Sequence, residues 1–231
     1  MVLLARAGGS ASRGASAVVG AAAVLIVPIN VVALQERAHA ESSYEKQLEH
    51  RIEAAAALVR EGTAVAPTGA VDDRLAPGFS NRDLAILADS GQVGHAMATD
   101  PAQRAAATTQ LRTALTSATA ATRSVGTWTL VETVGLQHAA APRGCIAGTA
   151  VAAPGYFVFS VIGSATAVVR AESATAVRLY VQDRLPFLNG GFVDRAVTPA
   201  VASRLDVAGA GGLSYVRVEA SGVLTVCTAE G

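Results

Sequence analysis

Aromatic residues are scarce: one Trp, four Tyr and five Phe in 231 residues. A core built from this chain must rest on aliphatic side chains, and any aromatic at an outward position stands out. Charge is sparse too, 18 basic against 18 acidic residues, with no run of Lys or Arg. That excludes the clustered basic face a nucleic-acid binder needs and strong electrostatic steering of a partner. There is no G-x-S-x-G, no P-loop and no H-E-x-x-H. The four histidines, His39, His50, His95 and His138, lack metal-ligand spacing, and the two cysteines are too far apart for a zinc knuckle. The glycine-rich "AGAGG" at 208–212 precedes a strand pattern, whereas a phosphate cradle needs a following helix. Asp72-Asp73, the adjacent acidic pair, reads as a solvated turn, and His138 as a surface residue. The sequence thus nominates no catalytic residue, no metal site and no cofactor.

What is present begins with an uncharged stretch from Gly14 to Leu34. It matches the roughly 20 residues a helix needs to cross a hydrocarbon core. Pro28 and Asn30 inside it are unusual in a soluble helix and tolerated in a span. Arg6 and Arg13 precede the stretch, which places the N-terminus in the cytoplasm. A cleaved signal is the alternative: Ala38-His39-Ala40 is a small-x-small site, although the apolar run exceeds the usual ~7–15 residues. The retained span is favoured. Either way, everything after about residue 40 is expected outside the cytoplasm.

A helix is expected from Leu34 to Glu61, with an apolar stripe at Tyr44, Leu48, Ile52, Ala55 and Val59 and a stop at Gly62. Residues 63–79 read as a Pro/Gly loop. A short helix follows, capped by Ser80 or Asn81, with Asp83 in its first turn and an exit at Gly91. A third starts at Asp100-Pro101 and is expected to run to about Ala121. From about Val125 the period changes to 2. Phe157, Phe159 and Val161 share a face, as do Val177, Leu179 and Val181, and Val216 and Val218. Further strands are expected at 127–134, 165–171, 203–207 and 223–227, separated by Gly/Ser clusters that include Gly163-Ser164. The expected fold is α+β: a transmembrane helix, a helical segment, then an antiparallel, jelly-roll-like β-sandwich. The corresponding divisions are 1–13 cytoplasmic, 14–34 span, 35–123 extracytoplasmic helical segment and 124–231 sandwich.

This setting gives the cysteines a reading. Outside the cytoplasm, Cys145 and Cys227 are expected to form a disulfide. Closing a loop of roughly 80 residues would contribute about 4 kcal/mol in the chain-entropy model. A binding role has more support than a catalytic one. Extracellular sandwiches often bind glycans by stacking sugars on aromatic faces. Tyr180 and Tyr215 fall on outward faces and Trp128 is the single tryptophan, so these three are the candidate binding residues.

The order of span, helix, Pro/Gly loop, short capped helix and terminal β region resembles the tail of polytopic actinobacterial membrane proteins, glycosyltransferase-like enzymes using lipid-linked sugar donors. The phrases that carry it are "FSNRDLAILADSGQV" and "RLDVAGAGGLSYVRVEASGVLTVC". In such enzymes the catalytic acids lie in loops between earlier spans. This chain has one span, so none of those residues is carried over. The expectation is therefore a membrane-anchored accessory or binding domain of the cell envelope. Its partners would be the bilayer, a glycan or a membrane protein. The alternatives are the C-terminal portion of a polytopic glycosyltransferase and a structural envelope protein.

Overall fold

The computed structural model describes residues 42–228 apart from 47, 73–75, 92, 94–99, 120–121, 153–154 and 210. The expected span at 14–34, His39, Asp73 and His95 lie outside the described residues. Among the described residues no helix is long and apolar enough to cross a membrane. The chain divides into two compact units, Met1–Gln47 and Leu48–Gly231. In the first, residues 42–46 are helical. The second is a β-rich α+β structure.

Helix α1 spans 48–60. Its end follows from Gly62, at φ 86°. The Thr63 N–H reaches back to the Leu58 carbonyl at 3.0 Å and the Gly62 N–H to Val59 at 2.9 Å, closing a Schellman motif. From Leu48 onward the apolar stripe packs as expected: Leu48 and Ala55 are buried, with Ile52 and Val59 against them. They join Leu84 and Ala88 of α2 (Asn81–Asp89) and Ala107 and Leu111 of α3 (Pro101–Arg112) in a helical core. Helix α2 opens with Ser80 and Asp83 in a reciprocal capping box, and α3 with Asp100 as N-cap and Pro in its first turn.

Two expectations change here. The stretch 63–79 is not all loop: β1 (Ala70–Asp72) and β2 (Ala76–Ser80) form an antiparallel pair inside it. Helix α3 stops at Arg112 rather than near Ala121, because the chain turns directly into strand β3 (Thr113–Ser117). Its β-branched Thr113 and Thr116 fit a ladder better than a helix, and β10 (Ser203–Val207) supplies the partner, with Leu115 opposite Leu205.

The remaining strands are β4 (Val125–Val134), β5 (Leu136–Ala139), β6 (Cys145–Ala150), β7 (Gly155–Ala171), β8 (Ala176–Gln182), β9 (Val193–Ala196), β11 (Leu213–Ala220) and β12 (Val223–Cys227). With β3 and β10 they make one antiparallel sheet of ten strands. The Gly163-Ser164 pair does not end a strand as expected: β7 runs through it for 17 residues. It changes neighbours there instead. Phe159 pairs with Leu130 of β4 and Val216 of β11, whereas Val169 pairs with Ser203 of β10 and Val226 of β12. One strand thus belongs to two halves of the sheet. Gly163 takes φ 67° at the change-over, and Gly209 crosses so closely that a Cβ there would lie 2.1 Å from the Gly163 carbonyl oxygen. The contact thus requires glycine at 209, while at 163 it is the left-handed φ that favours one.

The halves fold over one apolar core, giving a sandwich-like arrangement. Phe157, Phe159 and Val161 of β7, Leu179 and Val181 of β8, and Val216 and Val218 of β11 are fully buried with Leu205 and Leu224 of β10 and β12. The inward sets predicted by alternation are the ones observed. Gly148 of β6 faces the Phe157 ring across the core, where a Cβ would stand 3.2 Å from its edge.

The Cys145–Cys227 disulfide is present. Its two residues are direct register partners on β6 and β12, so the bridge staples neighbouring strands.

A candidate binding groove over strands β3, β10 and β7

The outer face of one half-sheet carries a groove of about 560 Å³. Its floor follows from strand alternation. In β10, Ser203, Leu205 and Val207 are buried and turn inward, so Arg204 and Asp206 turn outward. Register then sets Arg204 opposite Thr116 of β3, and Asp206 opposite Thr166 of β7. Ser164 follows the β7 bend at the same floor.

Three of these side chains, Arg204, Asp206 and Thr166, form a connected polar network. Arg204 Nε donates to both carboxylate oxygens of Asp206, at 2.9 and 2.8 Å. The Thr166 hydroxyl donates to Asp206 Oδ1 at 2.6 Å. Ser164 Oγ accepts the Gly209 N–H at 3.1 Å. The side chains of Arg204 and Asp206 are 48% and 22% exposed, so both are accessible from the groove.

The walls are apolar and pinned from behind. One is the segment around Val65 and Pro67. Its backbone is held by the Ala66 N–H to the Leu111 carbonyl at 2.7 Å. Fully buried Asn81 holds it again, through Nδ2 to the Ala66 carbonyl at 3.2 Å and through its own N–H to the Gly69 carbonyl at 2.7 Å. Gln110 completes the brace by donating to the Ala70 carbonyl at 2.7 Å and to Asn81 Oδ1 at 3.1 Å. The opposite wall is Val125, 61% exposed.

Trp128 does not line the groove but backs it from the core. Its ring packs edge-on against Phe159, with centroids 5.7 Å apart. Its indole N–H donates to the carbonyls of Val125 and Thr166, at 3.3 and 3.2 Å. Both residues line the groove. Trp128 therefore sets the spacing of wall and floor from the core side.

Tyr180 and Tyr215 lie elsewhere, on the outer face of the other half-sheet. Arg217 pairs with Tyr180, and Tyr215 with Gln182, so the tyrosines are diagonal neighbours. Tyr180 is 7% exposed. Its ring sits 5.5 Å from both Phe187 and Phe192 and beside the Arg217 guanidinium, which itself covers Tyr156 at 3.5 Å. Burial pushes the Tyr180 hydroxyl above its ordinary pKa, and the nearby Glu219 carboxylate adds to the shift. Glu219, also buried, is held by Arg217 at 2.6 Å. The structure thus does not bring Trp128 together with the two tyrosines, and the Tyr180 ring is covered rather than presented.

Arg204 and Asp206 were absent from the sequence-derived candidates. The pattern S-R-L-D-V puts them on one face, but the groove exists only once β3 and the 65–68 segment fold over them. No family model, curated protein or solved structure matches the chain.

Proposed function

We propose that the chain is a non-catalytic binding module of the cell envelope, anchored through its uncharged N-terminal stretch, and that the groove over β3, β10 and β7 takes a glycan. The observation that carries this reading is the Arg204–Asp206–Thr166 network at the floor of a concave site. A carboxylate accepts sugar hydroxyl protons, a guanidinium donates to ring and hydroxyl oxygens, and Val65, Pro67 and Val125 offer apolar surface to sugar C–H faces. A few convergent polar groups in a mainly apolar cleft is the usual composition of a small-molecule site. The brace of Asn81, Gln110 and Trp128 keeps the walls apart before ligand arrives, which lowers the ordering cost of binding. The Cys145–Cys227 bridge suits an oxidising compartment and so supports the extracytoplasmic setting.

The test is a glycan-array screen with the full chain in detergent micelles, followed by titration of any hit. Saturable retention that falls at least tenfold in Asp206→Ala, with the melting temperature held, supports the reading. Unsaturable retention, or retention indifferent to Asp206→Ala, sinks it.

A further inference from the structure

Arg204 holds its partner in an uncommon way. A guanidinium usually meets a carboxylate with two parallel N–H groups, a fork on a fork. Arg178 does so, offering Nε and Nη2 to the two oxygens of Asp194 at 2.9 and 3.3 Å. Arg112 spends Nε on the Ala208 carbonyl, Nη1 on Asp183 and Nη2 on Ser214. Arg204 sits two residues from Asp206 on the same strand face, and reaches both of its oxygens side-on through Nε alone. Four of its five N–H groups, those on Nη1 and Nη2, are left for other partners, on a side chain that is 48% exposed and lines the groove.

Asp206, the charged acceptor at the floor, is largely engaged. Asp206 Oδ1 takes both the Arg204 Nε–H and the Thr166 hydroxyl. Ser164 Oγ is itself an acceptor for the Gly209 N–H, so its own proton is free to donate toward a ligand. The guanidinium edge is therefore the largest set of unspent hydrogen-bonding groups on any one side chain of the floor. The outer edge of Arg204 presents the paired N–H geometry that matches two oxygens on one carbon or one phosphorus.

From this we infer that the groove selects saccharides bearing a carboxylate or phosphate group, which docks on Nη1 and Nη2 of Arg204, while the sugar hydroxyls take the remaining capacity of Asp206, Ser164 and Thr116. The inference rests on the reading of the groove as a glycan site and narrows it. Because Arg204 and Asp206 form a neutral pair, selection comes from two short parallel hydrogen bonds rather than from long-range attraction. The preference should thus survive moderate salt, unlike a purely screened attraction. It should also require the fork, so lysine, with equal charge and no fork, should not replace arginine.

The experiment is calorimetric titration of the full chain in detergent micelles with trigalacturonate and with its methyl ester, which keeps the skeleton and removes the charge. A second arm compares glucose 6-phosphate with glucose, so the two arms separate carboxylate from phosphate as the source of the preference. Each is repeated with Arg204→Lys and Arg204→Gln. The expected result is an acid preferred over its neutral counterpart by roughly tenfold, the scale of a charged hydrogen bond, at both low and moderate salt, and a preference lost in both variants. The wild-type comparison of acid with ester decides the matter even if a variant folds poorly. Equal affinity for acid and neutral sugar, or a preference retained in Arg204→Lys, overturns this inference and leaves the glycan reading standing. Failure of every sugar, acidic and neutral, overturns both.

Discussion

The Thr109 hydroxyl accepts the Val181 N–H at 3.0 Å and reaches the Gly191 carbonyl at 3.1 Å. It does so two residues beyond the last rung of the β8–β9 ladder, which ends at Leu179 opposite Val193. A single side chain on α3 therefore stands in for a strand and ties the helical core to the sheet. Thr109→Val keeps the shape and strands both backbone groups in a fully buried place. It should lower unfolding free energy by about 1–3 kcal/mol and speed amide exchange at Val181. Thr109→Ser, which keeps the hydroxyl and loses one buried methyl, should cost about 0.5–1.5 kcal/mol and leave amide exchange at Val181 slow. Denaturant melts and hydrogen exchange check both.

The crossing of Gly209 over Gly163 gives a steric prediction. A methyl at 209 would overlap the Gly163 carbonyl, whereas one at 212 meets nothing within 4 Å. Gly209→Ala should destabilise by about 1–3 kcal/mol, as overpacking does. Gly212→Ala should change little. Equal melting temperatures for the two variants would remove the close approach from the account.

The α2 cap carries a pH signature. Asp83 accepts the Ser80 hydroxyl at 2.6 Å and the Ser80 N–H at 2.9 Å. These bonds hold its carboxyl below the ordinary aspartate pKa, the hydroxyl contributing most. A carboxyl lowered in the folded state adds stability above its unfolded pKa and loses it as pH falls through the lowered value. Ser80→Ala should cost about 1 kcal/mol at neutral pH. The difference from wild type should shrink below the ordinary aspartate range, and a pH series of melts reads it.

Reduction should reveal what the Cys145–Cys227 bridge contributes. The cysteines are 82 residues apart in sequence, so opening the bridge releases about 4–5 kcal/mol of loop constraint on the unfolded chain. The rung they share stays hydrogen-bonded on either side, with Val226 opposite Ile146 and Thr228 N–H on the Gly144 carbonyl. The reduced protein should thus keep its far-UV spectrum at 25 °C and melt earlier. Non-reducing mass spectrometry should find no free thiol in the native protein.

These features differ in how far the sequence foretold them. Alternation named the inward residues of β7, β8 and β11 correctly, because one face of each is sealed by the core and its period of two is unmistakable. Caps named α2 and the start of α3, since Ser80, Asp83, Asp100 and Pro101 act within one turn. The disulfide was legible from two cysteines and the expectation of an oxidising compartment. Strand β3 was hidden in "TALTS", whose alanine and leucine continue a helical pattern until β10 competes for them. The continuity of β7 was hidden because Gly163-Ser164 looks the same whether a chain stops or bends. The Tyr180 alternation was right about its face, and silent about Phe187, Phe192 and Arg217, which cover it from a loop, a strand edge and a neighbouring strand. The groove was least legible: each residue at its floor is ordinary, and only register brings Thr116, Arg204, Asp206 and Thr166 into one row-pair.

The most direct check of the proposed glycan groove is a chemical-shift map of the isotope-labelled full chain in micelles, titrated with a glycan hit. The account predicts saturating shifts at Ser164, Thr166, Arg204 and Asp206 and at the Trp128 indole N–H, with Tyr156, Tyr180 and Tyr215 unmoved. Shifts confined to the tyrosine face, with the β10 residues silent, would contradict it.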